Sequence, residues 1–405
     1  MTDPRDTPTT DALVDEALAQ GEGLGRPLRY VQINAVPSGS TGAVMMGLHR
    51  ALLFQGAESH VCWGRGRAAQ DGNELNFGTP LGVRLDALAT RLDDRAGFHS
   101  RVATRRLLER LDGIDPDVVH LHNLHGYYAN IEMLFGWLAG HRCQVRWTLH
   151  DCWAFTGHCA HFQYVGCDQW KTGCHDCPQK KAYPASYVLD SSRRNWEDKR
   201  RIFTSVPADR MTLITPSHWL EGLVRQSFLK SYPVGVRHNT VDTTVFKPTP
   251  SDFRERYGVG DRFMVLGVAS PWTERKGLGD FFKLAGELGE GYAVVLVGLD
   301  GRQQKAFSKL ESRARLIGLG RTESREELAA VYTAADVLLN PTREDNYPTV
   351  NLEAQACGTP VVTYDVGGCA ETLSLPGSSA IEDLPSAIER ICDMQKRKPR
   401  GGGSE

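Results

Sequence analysis

Two stretches of the second half hold side chains whose types and spacing suit the handling of a phosphorylated ligand. Arg275 and Lys276 stand together in SPWTERKGLGDFFKL, residues 270–284, directly after the apolar run FMVLGV. Ligands of doubly wound sheets bind at the carboxyl ends of strands. Two cations there fit a diphosphate, the Arg as a planar fork and the Lys as a point charge. The second stretch is PTREDNYPTVNLEAQACGTPVV, residues 341–362. It reads as a strand end, a loop, a helix from about Pro348 to Cys357 and a Gly358 stop. Asp345 lies in the loop over the helix N-terminus and Glu353 two turns inside it. The backbone N–H groups at such an N-terminus can receive phosphate or sugar oxygens. Taken singly, an Arg-Lys pair at a helix start is also an ordinary solvated feature, and Glu353 an ordinary helix residue.

In the first half, SGSTGAVMMGLHRAL (38–52) carries a glycine-rich turn, with Gly39 and Gly42 able to bring backbone close to phosphate. It lacks the Gly-x-Gly-x-x-Gly spacing of a dinucleotide site. His120, His122 and His125 fall in DVVHLHNLHGYY. Strand alternation puts the first two on one face and leaves the third on a loop, a pattern better read as structural than as a metal triad. Asp115-Pro116-Asp117 reads as a turn before a strand. His150 ends the strand VRWTL, with Asp151 beside it to orient a ring or cap a turn. Five of the ten cysteines fall between Cys152 and Cys177. Cys174-His-Asp-Cys177 has the spacing of half a zinc site, while Cys159 and Cys167 are spaced more widely than in common fingers. Structural zinc on Cys159, Cys167, Cys174 and Cys177, a reversible disulfide, and unlinked thiols all stay open.

These residues need a scaffold of buried strands alternating with amphipathic helices. LRYVQINAV (28–36), DVVHL (117–121) and VRWTL (145–149) are such strands in the first half. MTLITP (211–216), FMVLGV (263–268), AVVLVG (293–298, ending in Gly298), DVLLNP (336–341) and PVVTYD (360–365) follow downstream. The alternation predicts α/β architecture with parallel sheets covered on both faces. The expected organisation is a disordered tail over 1–26 with room for one short helix from Ala12 to Gln20, one Rossmann-like domain over 27–205 with a Cys-rich insert at 151–180, a second over 212–395, and a disordered end at 396–405.

The donor-side stretches together resemble the family-four glycosyltransferases. Their mark is an acidic residue, seven others, then Glu, followed by a helix ending in Gly-x-Pro. Asp345-Asn346-Tyr347-Pro348 matches the branch with Asp in first place, and Glu344 competes one register upstream. HNTVDTTVFKP (238–248) resembles the family's Asn-Gly-Val-Asp segment, with Thr240 in place of Gly. HDCWAFTGHC and the following cysteines resemble a subgroup that builds bacterial exopolysaccharide and lipopolysaccharide, colanic acid among them. The likeness spans about 28–375; the usual long C-terminal crossover helix is expected to be short or missing. It implies the GT-B fold, two Rossmann-like doubly wound domains facing a cleft, and transfer from a nucleotide-diphosphate sugar to a glycan or lipid-linked acceptor with retention. By resemblance, Asp345 with Asn346, Tyr347 and neighbouring amides grips the donor sugar, and Glu353 takes the ribose. Arg275 and Lys276 neutralise the diphosphate, Gly39, Gly42 and Gly298 line the donor site, and His150 faces the reacting sugar. No cofactor is implied for catalysis. A nucleotide-sugar epimerase of the same fold and a non-catalytic sugar-binding homologue are the alternatives.

Composition limits the partners. The chain has 405 residues, 41% hydrophobic and 24% charged, with net charge −2, which argues against bulk nucleic-acid binding. No apolar run is long enough to span a membrane, and the N-terminus lacks the signature of a signal peptide, so a cytoplasmic enzyme is expected. Residues 85–111 carry Arg91, Arg95, Arg101, Arg105, Arg106 and Arg110 among Leu and Ala. They read as an ordinary packed helix or as a basic face against the anionic inner surface of the cytoplasmic membrane.

Overall fold

The computed structural model describes residues 8–66 and 72–397. The chain divides into two compact units, Met1–Asn239 and Thr240–Glu405.

Unit 1 is built on a seven-stranded parallel sheet: β1 (Arg29–Asn34), β2 (Glu58–Trp63), β3 (Glu74–Asn76), β4 (Val118–Leu121), β5 (Gln144–Thr148), β6 (Met211–Thr215) and β7 (Val234–Val236). Their order is β3-β2-β1-β4-β5-β6-β7, so the winding reverses between β1 and β4. Its helices are α1 (Pro8–Ala19), α2 (Gly39–Phe54), α3 (Pro80–Asp93), α4 (Arg101–Ile114), α5 (Ile131–Gly140), α6 (Ser192–Phe203) and α7 (His218–Val224). The strands are Val-, Ile- and Leu-rich because both faces of a parallel sheet are covered. Val31, Ile33, Val119 and Leu121 sit in the core with the aromatics Phe135, Trp147 and Phe203.

Unit 2 has a six-stranded parallel sheet of β8 (Phe263–Val268), β9 (Tyr292–Val297), β10 (Arg315–Leu319), β11 (Val337–Asn340), β12 (Val361–Tyr364) and β13 (Ser379–Ile381). Its order, β10-β9-β8-β11-β12-β13, reverses between β8 and β11. The helices are α8 (Phe253–Arg256), α9 (Leu278–Glu287), α10 (Gly301–Phe307), α11 (Arg325–Ala334), α12 (Thr349–Ala356) and α13 (Leu384–Arg397).

Four boundaries differ from the sequence expectation. The second domain does not begin at 212: β6 pairs with β5 in the first sheet, Val145 opposite Met211, and β7 pairs with β6. The break at 205–210 is only the turn that brings a crossover helix back to its own sheet. Within 1–26, α1 is packed rather than disordered. Leu13, Val14 and Ala17 are buried against Leu28, Tyr30, Leu48 and Ala51, and Glu16 pairs with Arg146 and Arg237. At the other end α13 continues to Arg397, held by Ala387 and Ile391, while 398–405 lie outside the described residues. Finally, residues 85–111 are two helices. Asp94 ends α3 at φ +61°, Ser100 opens α4 at φ +49°, and Gly97 between them has φ +87°.

Candidate active site

Unit 2 brings Arg275, Lys276 and Asp345 together because each follows a strand beside the reversal point. The loop after β8 carries the two cations, and the loop after β11 carries Asp345. Lys276 Nζ donates to Asp345 Oδ2 at 2.5 Å, with both side chains half-buried. Arg275 donates to the Glu344 carbonyl at 2.5 Å, and Arg343 N donates to the Arg275 carbonyl at 2.8 Å, which ties the two loops together. Of the two adjacent carboxylates, Asp345 faces the lysine, and Glu344 is a fully buried residue.

Three glycines allow the loops to press this close. A Cβ on Gly277 would lie 2.3 Å from the Pro341 carbonyl oxygen, one on Gly298 2.1 Å from that of Ala269, and one on Gly367 2.0 Å from that of Asp345. All three have positive φ. Gly298 is thus a packing partner of the loop that carries the cations. Asn346 and Tyr347 are buried, and the Tyr347 hydroxyl donates toward the Glu371 carbonyl at 3.4 Å. Helix α12 starts at Thr349, after Pro348 in the extended region. Glu353, one helix turn and more inside, accepts a 2.9 Å hydrogen bond from the Tyr332 hydroxyl. Burial pushes the Glu353 carboxyl up, against that hydrogen bond and the charge of Arg325.

In unit 1 the corresponding reversal crevice lies at the ends of β1 and β4. Gly39 and Gly42 are the first turn of α2 rather than a separate loop. Gly39 has φ +73°, and a Cβ on Gly42 would lie 2.4 Å from the Pro37 carbonyl carbon. His120 and His122 stack at 4.4 Å, as alternation requires, and burial lowers both rings well below the usual range. His122 is joined to His150, with Nδ1 and Nε2 at 3.2 Å. The protons in this chain can be placed. Gln32 Nε2 donates to the Met45 carbonyl, so its Oε1 faces His122 Nε2 and accepts from it at 3.2 Å. His122 Nδ1 then accepts from His150 Nε2–H, and His150 Nδ1 is the acceptor nitrogen of its ring. Burial lowers His150 to about 4, against the pull of Asp151. The ring is therefore neutral near pH 7 and works as a hydrogen-bonding group.

A second chain beside it was not visible from sequence. His125 Nε2 pairs with Asp151 Oδ2 at 2.7 Å, and His125 Nδ1 lies 3.2 Å from the Tyr183 hydroxyl. Asp151 also accepts from Trp153 N at 2.9 Å, and His125 together with these bonds holds its carboxyl far below the usual range despite burial. Asp115 is a helix C-cap and Asp117 pairs with Arg26, both as turn residues should be.

Residues 262–393 match the family model described as Glycosyl transferases group 1. Over 377 residues the chain is 26% identical to the protein assigned as colanic acid biosynthesis glycosyl transferase WcaC of Escherichia coli (strain K12), covering 88% of each. Residues 262–393 thus form a glycosyl transferases group 1 domain, and the chain is a glycosyltransferase. A D-inositol 3-phosphate glycosyltransferase of Mycobacterium sp. (strain KMS) is 29% identical over 254 residues, 60% of this chain and 53% of that one. Among solved structures, sucrose-phosphate synthase from Thermosynechococcus elongatus aligns with TM-score 0.65 at 15% identity, covering 92% of this chain and 90% of that one. Anabaena Alr3699/HepE in complex with UDP and glucose aligns with TM-score 0.57 at 14% identity, covering 91% and 90%. Both likenesses speak for the GT-B architecture of two Rossmann-like units.

The glycosyltransferase's cysteine insert keeps its four thiols near one another without drawing them into a closed shell. A tetrahedral site needs its sulfurs about 4 Å apart around one ion. Among the described residues, no three thiols or imidazoles of the insert bring their ligand atoms within 4.8 Å of one another. Cys159 donates to Cys177, Cys174 accepts from Gly157 N at 3.2 Å, and no disulfide links them. Cys174 and Cys177 pack in the same cluster as the buried aromatics Phe155, Phe162 and Trp170. Cys177 is lowered to about 7, by the Cys159 hydrogen bond against burial, with help from His158. Carbamidomethylation by iodoacetamide should therefore reach Cys177 first, with its rate rising to half-maximum near pH 7; mass mapping that finds Cys177 no faster than Cys167 would contradict this.

Beneath the insert, Lys199 is only 1% exposed. Its Nζ donates to the carbonyls of Trp153 at 2.9 Å and Thr156 at 3.0 Å and stands 3.5 Å over the Trp153 ring. Burial lowers this amine from its ordinary 10.5 to about 7. Unfolding consequently takes up a proton between those two values, so this group makes stability rise with pH there and contributes no slope below about 7. The gain is at most about 1.4 kcal/mol per pH unit. Lys199→Met is expected to flatten the melting temperature of unit 1 between pH 7.5 and 9.5 relative to wild type; parallel curves would refute the assignment.

Proposed function

We propose that this glycosyltransferase moves a sugar, with retention of anomeric configuration, from a nucleotide-diphosphate sugar held by unit 2. The acceptor, a glycan or lipid-linked glycan of bacterial polysaccharide biosynthesis, is assigned to unit 1. The observation that carries the reading is the Lys276–Asp345 pair with Arg275 at the reversal point of the second sheet. Cleaving the donor leaves negative charge on the diphosphate, and preorganised cations stabilise it without reorganising. Lys276 and Arg275 supply that charge; Asp345 keeps the lysine in place and accepts from donor sugar hydroxyls. The half-buried Glu353, already accepting a hydrogen bond from the Tyr332 hydroxyl, is suited to a ribose hydroxyl. His150, neutral near pH 7, is suited to hydrogen-bond the donor sugar or position the acceptor rather than to carry charge. Retention follows from a front-face reaction in which the leaving phosphate takes the acceptor proton. No cofactor enters this scheme.

Two of these relationships support the donor and the pathway class: HepE was solved with UDP-glucose, and WcaC is named for colanic acid biosynthesis. No helix among the described residues is long and apolar enough to cross a membrane. With a lipid-linked acceptor we place the enzyme in the cytoplasm, peripheral on the anionic inner face of the membrane.

The test is a panel of UDP-, GDP-, ADP- and dTDP-sugars, following nucleotide release with and without glycan acceptors and the anomeric proton of the product by NMR. Release of a nucleoside diphosphate with a retained anomeric centre is expected. Inversion would overturn the stereochemical assignment. Conversion of the donor to its epimer without an acceptor would overturn transfer.

A further inference from the structure

Helix α3 reverses the usual burial of an amphipathic helix. The side chains it buries are polar: Asp86 and Thr90. Thr90 Oγ1 donates to Asp86 Oδ1 at 3.3 Å, and Ser100 Oγ donates to Asp86 Oδ2 at 2.5 Å. On the other side Leu81, Leu85, Leu88 and Leu92 are 66%, 57%, 54% and 52% exposed. Their spacing puts them in one stripe along the helix. The stripe continues onto a loop fastened to the helix end. Tyr187 N donates to the Arg91 carbonyl at 2.8 Å and Leu189 N to that of Leu92 at 3.0 Å, and Tyr187, Val188 and Leu189 are all exposed.

The charges among these residues have one sign. Arg84 and Arg91 are exposed between the leucines, and Lys181 is exposed on the loop. The carboxylates nearby are occupied: Asp86 is buried, Asp93 accepts from Arg95 N and His99, and Asp190 accepts from Ser192 and Cys177 N. Protein interfaces deplete charge from their apolar centre. Cations set two turns apart among leucines instead match a layer of phosphates over hydrocarbon, with the long side chains reaching outward to the headgroups.

We propose that α3 and the 187–189 loop form a docking face that lies in the interface of an anionic bilayer. The leucines, Val188 and Tyr187 enter the acyl boundary, and Arg84, Arg91 and Lys181 meet headgroup phosphates. The inference rests on the peripheral-membrane reading and relocates it. The α4 arginines Arg101, Arg105 and Arg106 have only Val102 as an exposed large apolar neighbour on their helix. The docking face also backs onto the polar chain of unit 1. Ser100 Oγ lies 3.5 Å from the Tyr127 carbonyl, the Tyr127 ring meets Tyr183 edge-on at 5.9 Å, and Tyr183 meets His125 at 5.5 Å. A lipid-linked acceptor leaving the bilayer at α3 would meet Tyr127, Tyr183 and the His125–Asp151 pair within the same unit.

Flotation of the full chain with vesicles of phosphatidylcholine alone, or mixed equally with phosphatidylglycerol, tests this. Wild type is expected to float with the mixed vesicles at low salt and little with the neutral ones. Leu85→Ser/Leu88→Ser is expected to lose about tenfold or more of the partition, and Arg84→Glu/Arg91→Glu to lose binding to the anionic vesicles. Val188→Trp should gain a blue-shifted emission on those vesicles. Donor hydrolysis by each variant at the wild-type rate checks folding. If neutralising Arg101, Arg105 and Arg106 alone abolishes flotation and the leucine pair does not matter, the peripheral reading survives and this face is wrong. No flotation of wild type with either vesicle overturns both. Loss of a wild-type dimer in the leucine variant, with no vesicle binding, assigns the face to a second copy and overturns the proposal.

Discussion

Lys276→Ala is expected to lower sugar transfer about a hundredfold, the usual cost of removing one charged stabiliser of a developing leaving-group charge. Melting temperature should change little, because the side chain is half-buried and pairs only at the loop tip. Asp345→Asn should fall by a comparable factor for a different reason. It removes the partner that fixes the lysine at 2.5 Å and weakens acceptance from donor hydroxyls. The double variant should then lose less than the product of the two single losses, since both disable one unit. Glu344→Gln tests the neighbouring position: it should affect stability of the buried loop more than transfer. Near-normal kcat/KM in Lys276→Ala with a measured nucleotide sugar would remove the diphosphate assignment.

Asp94→Ala should destabilise unit 1 by about 3–5 kcal/mol, the range for leaving one member of a buried ion pair alone. Asp94 is 1% exposed and does three things. Its carboxylate pairs with His158 Nδ1, accepts from Ser191 N at 2.9 Å, and its carbonyl accepts from Asn195 at 2.6 Å. Burial works against a charged His158, yet the Asp94 hydrogen bond and charge outweigh it and hold that ring above its ordinary value. Alanine would also be strained at φ +61°, where Asp and Asn are tolerated. Asp94→Asn should therefore cost clearly less. Seven of the eight tryptophans lie in unit 1, so urea unfolding followed by tryptophan emission reads this transition. A midpoint within error of wild type for Asp94→Ala would show that the pair carries no stability.

Unit 2 was legible because its signals are local. Each cation or carboxylate sits one loop after an apolar strand, and the strand–loop–helix punctuation around Asp345 is read within a dozen residues. Unit 1 hid more because its decisive contacts are distant. MTLIT looks the same whether it opens a second sheet or joins the first; only pairing with β5 decides. Asp94 and His158 are 64 residues apart, and His125 and Asp151 26. The stripe in α3 declares an apolar side, but periodicity does not say which side turns inward. The cysteine spacing suggested metal; in the structure the thiols pack with Phe155, Phe162 and Trp170, and Cys159 bonds Cys177.

The three contacts at Gly277, Gly298 and Gly367 have a consequence for the genetics of this enzyme. At each of them backbone rests on backbone, with no side chain between that could shrink or turn aside. Nearly every first- or second-base change in a glycine codon installs a side chain, and the remainder stop translation. Random mutagenesis scored for lost sugar transfer should therefore return these three codons repeatedly, alongside those of Lys276 and Asp345. The glycine alleles would not act by removing a reactive group. They would act as spacers, and a second change elsewhere that lets the 341–345 or 366–368 segment retreat could restore the phenotype, which no second change can do for a missing Lys276.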